Sequence, residues 1–509
     1  MTEIGQTPST NRAGRFFKRI GHFVLRVLKA IGGFFVSLGK SIANFFVGLG
    51  KTVAGFFVRV YNAIVHGNWI TWMSCVIMGF GCFAYGQWLR GALYLVLQVG
   101  FILFMIFTGS YYLGKFGTLG DTLQEPVYDP DTGVLDHYIK GDNSLIILLF
   151  GVVTILIIVI VAVLYFKQLF NAHHNMELHE LGLPIDGTRQ DLRQLLNKNF
   201  HATILGLPTL GIAVFTVIPL VFMILIAFTN YDKQHLTPGN LFTWVGFENF
   251  KNLFSFTGSN SIGMTFLRLL GWTFLWAILA TVTTYVGGMV LALLINKKGV
   301  RCKKIFRAFF VVTIAVPQFV SLLVINKFLG TEDGLINRLL MEWGWIDHNI
   351  KWLENVTLAR MVVIVVNMWV GVPYSMLITS GILMNIPEEL YESARIDGAG
   401  PIRTFFKITL PYMLFVTGPH LITQFIGNIN NFNVIYLLSG GGPSSSDMAL
   451  GAGRTDLLIT WLYNLTVTGD RMNYKMGTVI GILIFIVCAV VSLLVYSRTS
   501  AVKNEEVFQ

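Results

Sequence analysis

No aspartate or glutamate stands near the middle of any long apolar run in this 509-residue chain, and only 13% of its residues are charged. A soluble domain carries roughly 25%, and proton-coupled carriers place ionisable relays inside their spans. The first class is excluded and the second loses its usual machinery. His420 is the one obvious titratable group deep in an apolar run, and a lone histidine there reads first as a packing or hydrogen-bonding residue. Cysteine is equally scarce: Cys75, Cys82, Cys302 and Cys488 show no paired spacing, so neither a disulfide nor a metal site is expected. His173, His174 and His179 in NAHHNMELHELGLP (171–184) do not form HExxH. A solvated cytoplasmic linker is expected there in place of a metal site.

A complete P-loop is also missing. SLGKSIANFFVGLGKT (37–52) contains GKS and GKT, but Phe34 and Phe45 stand where G-x-x-x-x-G-K-[ST] needs the glycine that lets backbone N–H groups wrap phosphates. If ATP and Mg matter to this protein, another chain must bind them.

What is present is 54% hydrophobic residues and a mean hydropathy of +0.64, which defines an all-α polytopic membrane protein. Runs of about twenty apolar residues fall near 90–110, 145–166, 203–228, 268–295, 306–328, 359–383, 412–437 and 475–496, predicting about eight spans. Trp69 to Gln87 is apolar but broken by glycines. A full crossing would force the basic segment before it outside, so a re-entrant or interfacial hairpin is expected. The loop NKKGVRCKK (296–304) is basic, whereas 111–143 carries six acids against two lysines and 329–357 is net acidic. Positive-inside bias places both termini in the cytoplasm.

GFFVSLGKSIA, NFFVGLGKTVA and GFFVRVYNAIV repeat at eleven-residue spacing, which closes on three helical turns. Phe34, Phe35, Leu38, Ile42 and Phe45 share one arc, and Ser37, Lys40, Ser41 and Asn44 the other. From Met1 to His66 nine Lys or Arg oppose Glu3, giving +8 of the formal +10. The segment reads as a basic amphipathic helix for anionic membrane lipid; packing on the protein's own membrane domain is the alternative. The basic excess is local to this helix, so nucleic acid is not implied. The segment is too polar for too long to be a removable signal peptide. The expected division is 1–66 at the membrane surface, 67–170 with the hairpin and two accessory spans, 171–202 a linker, 203–497 a six-span core, and 498–509 a tail.

IPEELYESARIDGAGPIRTFFKITLP (386–411) lies between the sixth and seventh spans. Pro387 with Glu388 and Glu389 starts a helix, Asp397-Gly398 stops it, and Pro401 opens a second short helix. A helix-turn-helix tied at both ends to spans can carry a push from a partner into them. The stretch resembles the EAA loop of binding-protein-dependent ABC importer permeases, with Glu392, Ser393, Ala394, Asp397, Gly398, Ala399, Ile408, Leu410 and Pro411 at its positions. With NINNFNVIYLLSGGGP (428–443) it is similar to the maltose/maltodextrin permeases, over roughly 200–497. The resemblance implies a type I permease core that pairs with a second, related permease and receives sugar from an extracytoplasmic binding protein. It also implies that 386–411 docks on a partner ATPase dimer, and that the chain itself is no enzyme. Ser393 replaces the motif's middle alanine.

Asn367, Gly371 and Tyr374 stand at i, i+4 and i+7 in span six, and Gln424, Asn428 and Asn431 repeat that spacing in span seven, so each trio lines one helix face. Amides offer donors and acceptors to hydroxyls, a ring stacks on a sugar face, and glycine leaves room. A path for a neutral polyhydroxylated ligand such as a maltodextrin is one reading, and interhelical hydrogen bonding is the other. The resemblance favours the first, because Asn367, Gly371, Tyr374, Asn428 and Asn431 match maltose-contacting positions. Gly427 replaces an aromatic residue there, and Gln424 a small polar one. A solitary carrier would show inverted repeats. A membrane-embedded enzyme would show an acid cluster at a membrane face, for which 121–142 is the nearest stretch.

Overall fold

A computed structural model of the protein describes residues 39–496 apart from 41–42, 45–46, 140, 191–192, 194–196, 198–199, 259, 298 and 469–470. The repeat positions Phe34, Phe35, Ser37, Leu38, Ser41, Ile42 and Phe45 lie outside the described residues, as does the tail 498–509.

In chain order the helices are α1 (47–65), α2 (Trp69–Val76), α3 (Phe80–Ala84), α4 (Trp88–Lys115), α5 (Ser144–Glu180), α6 (Thr203–Ile226), α7 (Glu248–Leu253), α8 (Ile262–Asn296), α9 (Lys303–Ala315) and α10 (Gln318–Phe328). They continue with α11 (Leu335–Glu342), α12 (Val356–Met384), α13 (Glu388–Ile396), α14 (Pro401–Thr404), α15 (Leu410–Ile429), α16 (Phe432–Ser439), α17 (Leu458–Thr466) and α18 (Tyr474–Tyr496). Strands β1 (Pro126–Tyr128) and β2 (Leu135–Tyr138) form an antiparallel hairpin in the acidic loop.

Among the described residues six helices are long and apolar enough to cross a membrane: α4, α5, α6, α8, α12 and α18. A seventh crossing arises if α9 and α10, bent by 86°, count as one span. The bend has a local cause. Pro317 supplies no N–H and drives Val316 out of the helical region, to ψ 125°. The run expected at 412–437 is two helices, not one. Pro419, His420, Gln424 and Asn428 dilute the apolar content of α15, and the chain leaves the helix at Asn430 before α16 restarts from an Asn431 cap.

The chain falls into two compact units, 1–111 with 153–213, and 112–152 with 214–509. In the first, α2 and α3 have 8 and 5 residues, far short of the ~20 a crossing needs. Gly79 turns between them at φ +86°, where a Cβ would stand 2.5 Å from the carbonyl oxygen of Gly91. The turn's polar groups are satisfied by α5: Gln168 donates to the Ser74 carbonyl at 2.8 Å and accepts from the Gly79 N–H at 3.3 Å. Such pairing is what allows irregular backbone at membrane depth. Phe56 of α1 sets its ring edge-on against Phe166 of α5, centroids 4.7 Å apart. His173 and His174 both approach Glu177, at 3.5 and 3.6 Å.

The second unit is organised around α8, which packs along α12. Trp272, Trp276 and Ala280 of α8 meet Val363 and Val366 of α12 and Val434, Ile435 and Leu438 of α16 in one buried cluster. Trp461 of α17 and Val479 and Ile480 of α18 close another against Phe266 and Leu269. In the acidic loop, Asp142 is buried; it pairs with Lys115 at 2.6 Å and accepts from the backbone N–H groups of Asp121 and Thr122. That carboxylate closes the loop. Beyond α16 a glycine-rich loop folds over buried Asp456, which accepts from Gly453 N–H and Thr460 at 2.8 Å each and from Asn464 at 3.4 Å. Burial pushes the Asp456 carboxyl up to about 6.

Candidate functional site

Two groups of residues singled out by spacing converge in the second unit, at different levels of the same helices. The first is an amide cluster where α8, α12 and the break after α15 meet. Asn367 and Asn428 are buried. Asn428 donates to Thr281 Oγ1 at 3.0 Å and Asn367 to Thr284 Oγ1 at 3.5 Å. Asn431 donates to the Asn367 and Asn428 side-chain oxygens at 3.3 and 3.4 Å, while its own oxygen accepts the Val434 N–H and so caps α16. The α15 helix ends where it does because this cap and a Trp276 indole bond to the Asn428 carbonyl, 3.1 Å, take over the backbone groups.

Gly371 permits the close approach of α12 to α8: a Cβ there would stand 2.7 Å from Thr284 Cγ2. Tyr374, 49% exposed, sets its ring 6.1 Å from that of His420. Gly371, Tyr374, Gln424 and His420 line a cleft of about 60 Å³ with Thr281 and Thr284. Ligand pockets run from about 300 Å³ upward, so the cleft in this conformation is narrower than a sugar ring needs. The expected trios are therefore brought together, and the amides of Asn367, Asn428 and Asn431 are spent on one another and on two threonines. Thr281 and Thr284 were not singled out by the sequence reading. Their three-residue spacing in TVTTYVGG was the available signal.

The second group is the surface loop 386–411. Pro387 precedes α13, Glu388 and Glu389 occupy its first turn, and Gly398 leaves it at φ +70°. The N–H groups of Asp397, Gly398 and Ala399 return to the carbonyls of Ser393, Arg395 and Ala394, which satisfies the helix end. Glu392, Ser393, Asp397 and Gly398 face outward, and Ala394 faces in. Glu392 pairs with Arg395 at 3.7 Å with both side chains more than half exposed. Ile396 and Ile402 are 86% and 76% exposed, an apolar surface that water alone would not favour.

The inner side of the loop is anchored. Tyr391 shares a hydrogen bond with Thr409 at 3.0 Å. Ile386, Tyr391, Phe405 and Leu410 pack with Tyr285 and Met289 of α8, Leu383 of α12 and Met413 of α15. Ile408 is half-buried and Pro411 sits exposed in the first turn of α15. A displacement of α13 would therefore bear on three long helices at once. Among the described residues no three His, Cys, Asp or Glu side chains group as a metal-ligand set.

Bundled apolar helices, a polar seam between them and an outward-facing loop locked to their ends define a multi-pass membrane transport subunit. Residues 285–500 match the family model described as binding-protein-dependent transport system inner membrane component. The chain is 31% identical over 437 residues to the galactooligosaccharides transport system permease of Bacillus subtilis strain 168, covering 86% of this chain and 99% of that one. It is 32% identical over 439 residues to a maltodextrin transport system permease of Streptococcus pneumoniae serotype 4, covering 85% and 96%. Identity to the maltose/maltodextrin permease of Escherichia coli K12 is 35% over 258 residues, about half of each chain at 50% and 49%. The chain belongs to the binding-protein-dependent sugar permeases of ABC importers, multi-pass subunits of the plasma membrane.

Proposed function

We propose that this chain is one half of the transmembrane path of a maltodextrin importer, working by alternating access. A second, related permease supplies the other half. A dimeric partner ATPase binds ATP and Mg and performs the hydrolysis, and an extracytoplasmic binding protein delivers the sugar. Both termini and the loop 386–411 face the cytoplasm. Glu392, Ser393, Ala394, Asp397, Gly398 and Ala399 form the surface on which the ATPase docks, and Ile408, Leu410 and Pro411 pass its movement into α15. Asn367, Gly371, Tyr374, Gln424, Asn428 and Asn431 contact the sugar once the narrow cleft opens.

The observation that carries this reading is the packing of α13 and its return segment against α8, α12 and α15, the helices that also hold the amide cluster. One rigid connection joins the proposed docking surface to the proposed path, so closing the ATPase pair exchanges interhelical amide bonds for bonds to sugar hydroxyls. Such an exchange is nearly neutral in free energy, because hydrogen bonds between membrane helices average only about 0.6 kcal/mol.

A galactooligosaccharide importer is the second reading, supported by the Bacillus relative that this chain matches over 99% of its length. Proteoliposome uptake of maltotriose against a galactose trisaccharide, with each sugar's binding protein supplied, separates the two. Saturable maltotriose uptake alone supports the first, and galactoside uptake alone replaces it with the second.

A further inference from the structure

A cavity of about 790 Å³ lies beneath the coupling loop, where the ends of α8 and α12 meet the inner side of α13 and the segment that follows it. Its volume falls in the roughly 300–1,000 Å³ range of ligand sites, and its lining is two-sided. Leu293, Leu383 and Phe405 contribute apolar lining, and Asn296, Lys297 and Arg395 polar or charged lining. Lining cations outnumber the single lining acid, Glu388.

Helix-end capping accounts for part of this charge and not for all of it. Lys303 donates to the Asn296 carbonyl at 3.0 Å, an ordinary complement to the negative end of α8. Arg307 comes to the same residue from behind, donating to the Asn296 side-chain oxygen and lying 3.6 Å from Met384 Sδ. Its Nε is buried and has no hydrogen-bond partner. A guanidinium nitrogen left unpaired away from water is costly, and Arg307 adds a further positive charge behind Asn296. Lys297 begins the basic stretch NKKGVRCKK, the kind of juxtamembrane segment that anionic headgroups attract.

We infer that this cavity binds an anionic phospholipid of the inner leaflet, its phosphate at Lys297 and an acyl chain along Leu293, Leu383 and Phe405. The lipid would wedge the inner face of α13 against α8 and α12, opposite the face offered to the ATPase. The inference rests on the coupling-loop reading for the membrane face alone; lipid retention is measured without any ATPase, so each can fail separately.

The full-length chain, purified in mild detergent, is exposed to phosphatidylglycerol or phosphatidylcholine of matched chains and examined by native mass spectrometry. Wild type retains one phosphatidylglycerol in preference to phosphatidylcholine. Lys297→Gln lowers that preference about fivefold, the effect of roughly one headgroup cation, and Leu293→Trp, which fills the apolar side, abolishes retention while the melting temperature holds. If Leu293→Trp fails to fold, Lys297→Gln alone decides. Equal retention of the two lipids, or an unchanged preference in Lys297→Gln, overturns the inference. Displacement of the lipid by millimolar inorganic phosphate overturns it too, because it identifies a free-phosphate site.

Discussion

Asn431 Nδ2 lies 3.3 Å from Asn367 Oδ1, so the chain break between α15 and α16 is pinned to the middle of α12 by a single amide pair. If that pair belongs to the sugar path, Asn431→Ala lowers uptake several-fold while the complex still assembles, since one interhelical bond contributes only about 0.6 kcal/mol to packing. Proteoliposome uptake alongside size-exclusion chromatography checks this. Unchanged uptake would leave the amides with a packing role alone.

Glu392→Lys reverses the charge of a side chain whose ion pair with Arg395 is long and exposed. Such pairs contribute about 0–1 kcal/mol, so the variant inserts and folds at wild-type levels. Uptake is nonetheless abolished, because the outward face of α13 no longer fits its partner. Normal uptake by membranes holding normal amounts of the protein would remove the docking role.

Gly371→Ala places a methyl 2.7 Å from Thr284 Cγ2 and costs about 1–3 kcal/mol through overpacking. Gly271→Ala, on the same helix as Thr284 with open space around it, is neutral or stabilising by up to about 1 kcal/mol, because alanine is the better helix former. Melting temperatures of the two purified variants should separate accordingly. Equal effects would mean that α8 and α12 are not in tight contact at Gly371.

Asp456 gives the glycine-rich loop after α16 a defined pH response. Its folded carboxyl is pushed up to about 6 from the ordinary 3.8 of an aspartate, chiefly because it is buried. The folded loop therefore holds a proton that the unfolded chain has released. The stabilisation is full below about pH 4 and is lost as pH rises through about 6, by at most about 3 kcal/mol. The melting temperature in detergent should fall between pH 4.5 and 7.5 for this reason, and Asp456→Asn should flatten the slope. An identical slope in the variant would assign the response to another group.

Much of this architecture was legible from apolar run length and from proline and glycine. The α13 start at Pro387 and its stop at Gly398 follow from backbone chemistry that is local, and they appear where the residues dictate. The spans are less local. Periodicity puts Gln424, Asn428 and Asn431 on one face of a single span over 412–437, but the helix ends at Ile429 and Asn431 leaves that face to cap α16. That competition between a cap and a continuing helix is decided by Asn367, more than sixty residues away. Thr281 and Thr284 were missed for the same reason, as threonine in an apolar run carries no signal until its partner on another helix is known. Val316-Pro317 falls inside one expected span, 306–328, though the pre-proline restriction there is a local rule that predicts the bend.

Coupling of this chain to an ATPase through residues 386–411 is tested by ATP hydrolysis in the complex that co-purifies with it. A sugar-loaded binding protein should stimulate that hydrolysis, and Glu392→Lys should abolish it. If no ATPase co-elutes, even when neighbouring genes are co-expressed, or if hydrolysis ignores both the binding protein and the substitution, the coupling assignment is contradicted.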